Sequence, residues 1–405
     1  MSYTPDKKQD TPVENEQTAP PAVIFISPNY PGGHYRYVAA LRRLGAEVFG
    51  IGDAGYETFR PELRGNLSEY YRVGDLHNYE EVYRAVAFFI HKHGRMFKIE
   101  SLNPYWRQLE ARLREDYKVE GLTEAETSRI DTEDKLLSLC ALSGVPIAPS
   151  LPNAEEEKLR GTTVVCCGVT DESGEILLAR AFDIASDEGA GEEEEQSPPL
   201  TVFSSGDEAA VLDHSRKLAE QIGAGASFFE FTFKKLAAAV KNMGKKGTLV
   251  LSSAKLAPPC GLLCDCVNYS CGGDIAELWA GCVLGERAVL PVQSVSDEEI
   301  RSESREQTEG DDISREHAAN ANSSSPLALV SRRFDRSFKN SHEKILRRLG
   351  AKIYFHGRID EAMRRESGDY VYIFKGASSA EIRRNARFIS EDFDTHSKKY
   401  TKLTP

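Results

Sequence analysis

The chain has 405 residues, 40% of them apolar, which is enough for two or three domains with a core in each. Acidic residues exceed basic ones by 12, a balance that a phosphate backbone repels, so nucleic acid is excluded as a main partner. No run approaches the roughly 18 apolar residues of a membrane helix, and Asp6, Lys7 and Lys8 lead into polar sequence where a signal peptide has its apolar core, so a cytoplasmic protein without membrane contact is expected.

Residues 1–21 are polar and without periodicity and read as a disordered tail. AVIFIS, from Ala22, is a short buried strand. PNYPGG is a turn-rich loop, HYRYVAALRRLG has helical spacing with Gly45 placed to stop it, and AEVFGIGD is a second strand ending in Asp53. Tyr79 to His93 is helical by pattern, KIESLN is strand-like, and PYWRQLEARLREDY is a helix with Trp106, Leu109 and Leu113 on one face. This alternation predicts a first domain over 22–150 built on a doubly wound parallel sheet. DKLLSLCALSGVPIAP, from Asp134 to Pro149, closes it as a helix stopped by Gly144 and a proline-bounded strand.

A second region is expected over 151–293, antiparallel and α+β in character, with an acidic insert at 186–199. Thr162 to Asp183 reads as a hairpin turning at Asp171 to Gly174, Asp207 to Ile222 as a helix, and SFFEFTF and GTLVLSS as two strands. A polar linker is expected at 294–325, a returning segment at 326–395 and a tail at 396–405. ILRRLGAKIYFHG, from Ile345, echoes LRRLGAEVFGIG, from Leu41, and helix, terminating glycine and strand explain both without duplication.

The eight cysteines read as reduced thiols. Cys166 and Cys167 lie in a strand-like run, and Cys260, Cys264, Cys266, Cys271 and Cys282 lack the paired spacing of zinc sites and read as buried thiols in a packed turn. His34, His342 and His356 are scattered, with no serine or cysteine partner for a triad. The loop Pro28 to Arg36, with Asn29, Tyr30, Gly32 and Gly33, follows the first strand at the carboxyl edge where open α/β sheets place ligands. Glycines before a helix N-terminus suit an anion, although the loop is not the GxGxxG of a dinucleotide site.

The strands SFFEFTF and GTLVLSS run on into AKLAPPCGLLCDCVNY, ending at Tyr269. This layout resembles the paired strands of the ATP-grasp ligases, in the carboxylate–amine ligase-like branch, whose strands read roughly FFHFEFF and ALEVNMRPPGG and continue into DM-x-NYA. The DK-helix-Gly-x-Pro phrase, SRRFDRSFKNSHEKI and SGDYVYIFKGASSAEI extend the resemblance from Ala22 to about Phe393. It implies an α/β, ATP-grasp-like fold and an ancestral chemistry in which ATP activates a carboxylate as an acyl phosphate and an amine or thiol displaces the phosphate. That chemistry needs Mg²⁺ held by carboxylates and an amide, together with cationic side chains.

The resemblance also shows what is missing. Its first carboxylate position falls on Thr232, with Glu230 one pleat repeat away on the same face. The Glu, Asn and Arg positions of the second strand fall on Ser253, Lys255 and Ala257. No magnesium site is left, and an ammonium about 4 Å from a divalent ion costs several kcal/mol at an effective dielectric near 20. Between Pro149 and Thr162, where the family inserts a nucleotide lid, only SLPNAEEEKLRG stands, too short for a subdomain. Lys135, Glu230 and Lys255 remain as nucleotide-binding candidates for ATP. Asp265 and Asn268, in the matching segment Pro258, Pro259, Gly261, Asp265, Asn268, Tyr269, Asp274 and Ile275, remain with the loop at Asn29 as substrate-binding candidates. The expectation is a pseudoenzyme that binds a small molecule and works through a protein partner; the alternative is an active ligase with a non-standard phosphate site.

Overall fold

The computed structural model describes residues 20–148, 161–185, 200–241, 243–259, 261–285, 326–334, 337–359 and 368–391. β1 (Ala22–Ile26) is buried along its whole length, as five consecutive apolar residues between covering helices require. α1 (Tyr35–Arg43) follows, and the chain leaves it through Gly45, whose φ of +84° is open to glycine at no steric cost. Next come β2 (Glu47–Gly52), α2 (Pro61–Asn66), β3 (Glu69–Arg72), α3 (Tyr79–His93), β4 (Lys98–Glu100), α4 (Arg107–Tyr117) and α5 (Glu124–Thr127). The four strands form one parallel sheet in the order β3-β2-β1-β4. Phe49, Phe89, Ile99 and Leu113 fill one of its faces, beneath α3 and α4. The helix expected from Pro104 begins with a 3₁₀ turn, Pro104–Trp106, before α4 proper.

α6 (Glu133–Cys140) leads to Gly144, in the left-handed region with φ +78°, and the expected strand beyond it is a single bridge, Ile147 to Leu251. The second half contains β5 (Gly161–Thr170), β6 (Ile176–Ala185), β7 (Thr201–Ser204), α7 (Glu208–Ile222), β8 (Phe228–Leu236), β9 (Leu249–Lys255), α8 (Gly261–Cys271) and α9 (Ile275–Val283). It ends with β10 (Leu327–Arg332), α10 (His342–Leu349), β11 (Ile353–Arg358), β12 (Tyr370–Lys375) and α11 (Ser379–Ser390). Its strands form one antiparallel sheet, β11-β12-β10-β7-β6-β5-β8-β9. Strand alternation sends Cys166 and Cys167 to opposite faces, each into a different core, which explains why both are buried.

One core joins the halves. Tyr37 and Val38 of α1 pack with Phe228 of β8, Val165 and Cys167 of β5, and Trp279 of α9. The two similar glycine phrases differ in structure: Gly45 leaves its helix in the left-handed region, whereas Gly350, with φ −46°, continues into a 3₁₀ turn, so the second glycine is not a left-handed stop. Among the described residues no helix is long and apolar enough to cross a membrane. Residues 1–19 of the expected N-terminal tail, the tail at 396–405, all of the lid segment 150–161 but Gly161, the acidic insert at 186–199 and the linker at 294–325 lie outside the described residues.

Candidate functional site

The β8–β9 ladder sets Glu230 opposite Lys255 and Thr232 opposite Ser253. Directly opposed residues of an antiparallel pair share a face, so these four side chains form one patch. Lys255 Nζ lies 3.6 Å from Glu230 Oε1. The register shifts between Thr232 and Phe233, and the neighbours on β9, Ser252 and Ala254, add no carboxylate. Glu133, which sequence reasoning did not single out, reaches the patch from the first turn of α6 and accepts a hydrogen bond from Ser253 Oγ. Lys135, on the same helix, is committed to Asp131 at 2.8 Å.

Magnesium demands about six oxygens in near-octahedral order. Here one carboxylate is held by an ammonium, another by a hydroxyl, and the remaining groups are neutral. The donor set does not fit Mg²⁺. Among the described residues no group of three or more His, Cys, Asp or Glu side chains is placed to hold a metal.

A second group of side chains gathers at the carboxyl edge of the parallel sheet, where the strand order reverses between β1 and β4. Each of these strands is followed by a non-glycine residue in the left-handed region, Ser27 at φ +52° and Leu102 at φ +56°. Such conformations cost about 1–3 kcal/mol and collect at functional sites. Asn29 Oδ1 and His34 Nδ1 are buried without a hydrogen-bond partner. Burial pushes the His34 imidazole down to about 4, so it is neutral near pH 7. Tyr30 and Gly32 are exposed, and a Cβ at Gly33 would meet nothing within 4 Å. The loop therefore leaves open space in front of the nine-residue helix α1, whose N-cap supplies no side-chain hydrogen bond.

Arg36, on the first turn of α1, donates to Asp265 Oδ1 of α8 at 2.6 Å. Burial raises the Asp265 carboxyl above its ordinary range, and Arg36 opposes that shift; the Arg36 guanidinium is itself disfavoured by burial, but Asp265, Tyr35 and Cys264 together more than compensate. Arg43, two turns on, pairs with Glu277 and with Asp274 at 3.0 Å. Asn268 turns the other way: its Oδ1 accepts from Ile275 N at 3.0 Å, while Asp274 Oδ1 accepts from Ala276 N at 2.9 Å. Asp265 thus faces the Asn29 loop's helix, and Asn268 holds the α8–α9 corner.

Of the five cysteines expected in a packed turn, Cys260 lies outside the described residues, and the other four lie on helices, Cys264, Cys266 and Cys271 on α8 and Cys282 on α9. All four are free thiols, and burial pushes Cys264 up to about 12 and Cys282 up to about 11. Two of the histidines that look scattered in sequence meet. The His342 and His356 rings lie 5.1 Å apart, each with Nδ1 on a tyrosine hydroxyl, Tyr372 at 2.9 Å and Tyr370 at 2.8 Å.

No protein-family model matches the chain, and no curated protein matches it. Solved structures do resemble it. An L-amino acid ligase from Bacillus licheniformis superposes with a TM-score of 0.58 at 10% identity, covering 91% of this chain and 97% of the other. A phosphoribosylglycinamide synthetase from Anaerococcus prevotii gives 0.55 at 9% identity, covering 90% and 96%. An N5-carboxyaminoimidazole ribonucleotide synthetase from Thermotoga maritima gives 0.53 at 10% identity, again covering 90% and 96%. The chain has an ATP-grasp-like fold. The ATP-grasp likeness is one of architecture, a parallel sheet joined to an antiparallel one, and at these identities no residue's role comes with it.

Proposed function

We propose that the chain is an ATP-grasp protein that binds a small molecule and has lost phosphoryl transfer. The observation that carries this reading is the Glu230–Lys255 ion pair, which stands where the sequence resemblance puts magnesium ligands. The ligand binds at the loop ahead of α1, where a donor group on it gives the buried Asn29 Oδ1 a partner and His34 Nδ1 gains one as well. Tyr30, Gly32 and Gly33 border that space, and Asp265 fixes the helix through Arg36. The Asn268 cap holds the wall behind. The protein acts in the cytoplasm, where its thiols stay reduced, and signals ligand occupancy to a protein partner.

One observation favours a second reading, an active ligase with a non-standard phosphate site. Lys255 is 58% exposed, so its ammonium is open to pair directly with a phosphate of ATP. Isothermal titration with Mg·ATP and with metal-free ATP separates the two. The first reading expects no binding heat from either. Heat from metal-free ATP that disappears in Lys255→Ala supports the second reading, and binding strengthened by magnesium contradicts the loss of the metal site.

A further inference from the structure

The loop between β3 and α3 carries a constellation that the ATP-grasp likeness does not use. Asp75 Oδ1 lies 2.7 Å from His77 Nδ1 and also accepts the His77 backbone N–H at 2.8 Å. A carboxylate accepts only, so Nδ1 carries the proton and Nε2 presents its lone pair. That lone pair faces the Tyr105 hydroxyl at 2.8 Å. Carboxylate, imidazole and phenol thus form a line in which the imidazole can take the phenol's proton.

Both ends of the line are held by local structure. Glu81 accepts from Gly74 N at 2.6 Å and from Asn78 Nδ2 at 2.9 Å, fixing the Asp75–His77 turn ahead of α3. Asn103 Oδ1 accepts from Tyr105 N at 3.1 Å and caps the turn Pro104–Trp106, just after Leu102 with its left-handed φ. Trp106 packs edge-on against both His77, at 5.1 Å, and Tyr105, at 4.7 Å. Tyr105 nevertheless remains 67% exposed. It is a phenol held against a base and open to an incoming reagent.

We propose that Tyr105 is a nucleophilic tyrosine, activated by the Asp75–His77 pair, that accepts acyl groups from small activated acyl donors. The charged side chains that build the turn, Asp75 and Glu81, are acidic, which disfavours a phosphoryl dianion and leaves a neutral acyl carbonyl as the fitting electrophile. In the step, the Tyr105 oxygen bonds to the carbonyl carbon while His77 Nε2 takes the phenol proton. The bond from that carbon to the leaving group then breaks, and the leaving group takes the proton from His77. With an acyl imidazole the products are an aryl ester on Tyr105 and free imidazole.

Tyr30 supplies an internal reference. It is 66% exposed, and its hydroxyl has no hydrogen-bond partner among the described residues. The full chain is treated with N-acetylimidazole near neutral pH, and the acetylation rate of each tyrosine is followed by peptide mass spectrometry. Tyr105 is expected to react about tenfold faster than Tyr30, a modest share of what a positioned general base provides because the site is in water. His77→Phe, which keeps a ring against Trp106, brings the ratio close to one, and Asp75→Asn brings it part of the way, with the Tyr30 rate unchanged in both. Equal rates in the unmodified protein, or a ratio that survives His77→Phe, overturn the proposal.

Discussion

Trp279→Ala lowers the unfolding free energy by about 3–5 kcal/mol, the range for removing a fully buried large aromatic side chain. Trp279 is completely buried where the two halves of the molecule meet. Its ring lies 5.8 Å from Tyr37 of α1 and 5.9 Å from Phe228 of β8, which themselves meet at 5.2 Å. One ring thus comes from α1, one from the large sheet, and one from the helix that covers it. Removing the indole opens a cavity at that junction, and neither sheet can move to fill it without losing its own packing. Trp279→Phe costs less than its lost area suggests. Trp279 Nε1 is buried without a partner, and removing an unsatisfied donor recovers about 1–3 kcal/mol. Denaturant unfolding followed by circular dichroism checks both. A loss below about 1 kcal/mol for Trp279→Ala would mean the halves do not share a core.

Asp265→Ala costs about 2 kcal/mol, between the ~0–1 of an exposed ion pair and the ~3–5 of a buried one broken from one side. The pair is intermediate in burial, with side-chain exposures of 32% for Arg36 and 22% for Asp265. The cost arises because the remaining guanidinium stays in a poorly solvated place with no carboxylate. The double variant Arg36→Met with Asp265→Leu removes both charges and recovers most of the loss, since an apolar pair leaves nothing unpaired. A double variant less stable than Asp265→Ala alone would contradict this account. Because Arg36 sits on the first turn of α1, ligand binding in front of that helix weakens in Asp265→Ala and is not restored in the double variant.

Elements with their own start and stop signals were legible in the sequence. α3 runs from Tyr79 to His93 as its pattern predicts, with acids in its first turn, His91, Lys92 and His93 in its last, and Gly94 in the left-handed region beyond. The β5–β6 hairpin turns where expected because Asp171 Oδ1 accepts from Ser173 N and Glu175 N, which closes the turn locally. α8 was not legible as a helix. It starts after two prolines and carries three cysteines, so neither propensity nor periodicity marks it, and its burial against the sheet decides its form. Gly350 looked like Gly45 in sequence, but only the latter needs a positive φ.

The candidate site divides in the same way. The pleat repeat was enough to put Glu230 and Thr232 on one face, because that spacing is local, whereas Lys255 joins them through the β8–β9 register. The contacts that decide what the site can do are distant in sequence. Arg36 and Asp265 are 229 residues apart and Ser253 and Glu133 are 120 apart, so no spacing rule connects them. Asp75 and His77 did not stand out in the sequence, and Tyr105, 28 residues from His77, joins them only through the fold. The pairing of His342 with His356 likewise depends on α10 and β11 both packing against Tyr370 and Tyr372 of β12.

We expect the ATP-grasp-like architecture to stand here without a working phosphoryl-transfer centre. The most direct test is a coupled assay of ADP release from Mg·ATP across mixtures of carboxylates and amines, run on the full chain. The Glu230–Lys255 pair, in place of a magnesium donor set, predicts no release above the protein-free rate with any mixture. Release that depends on magnesium and on a carboxylate–amine pair would contradict it.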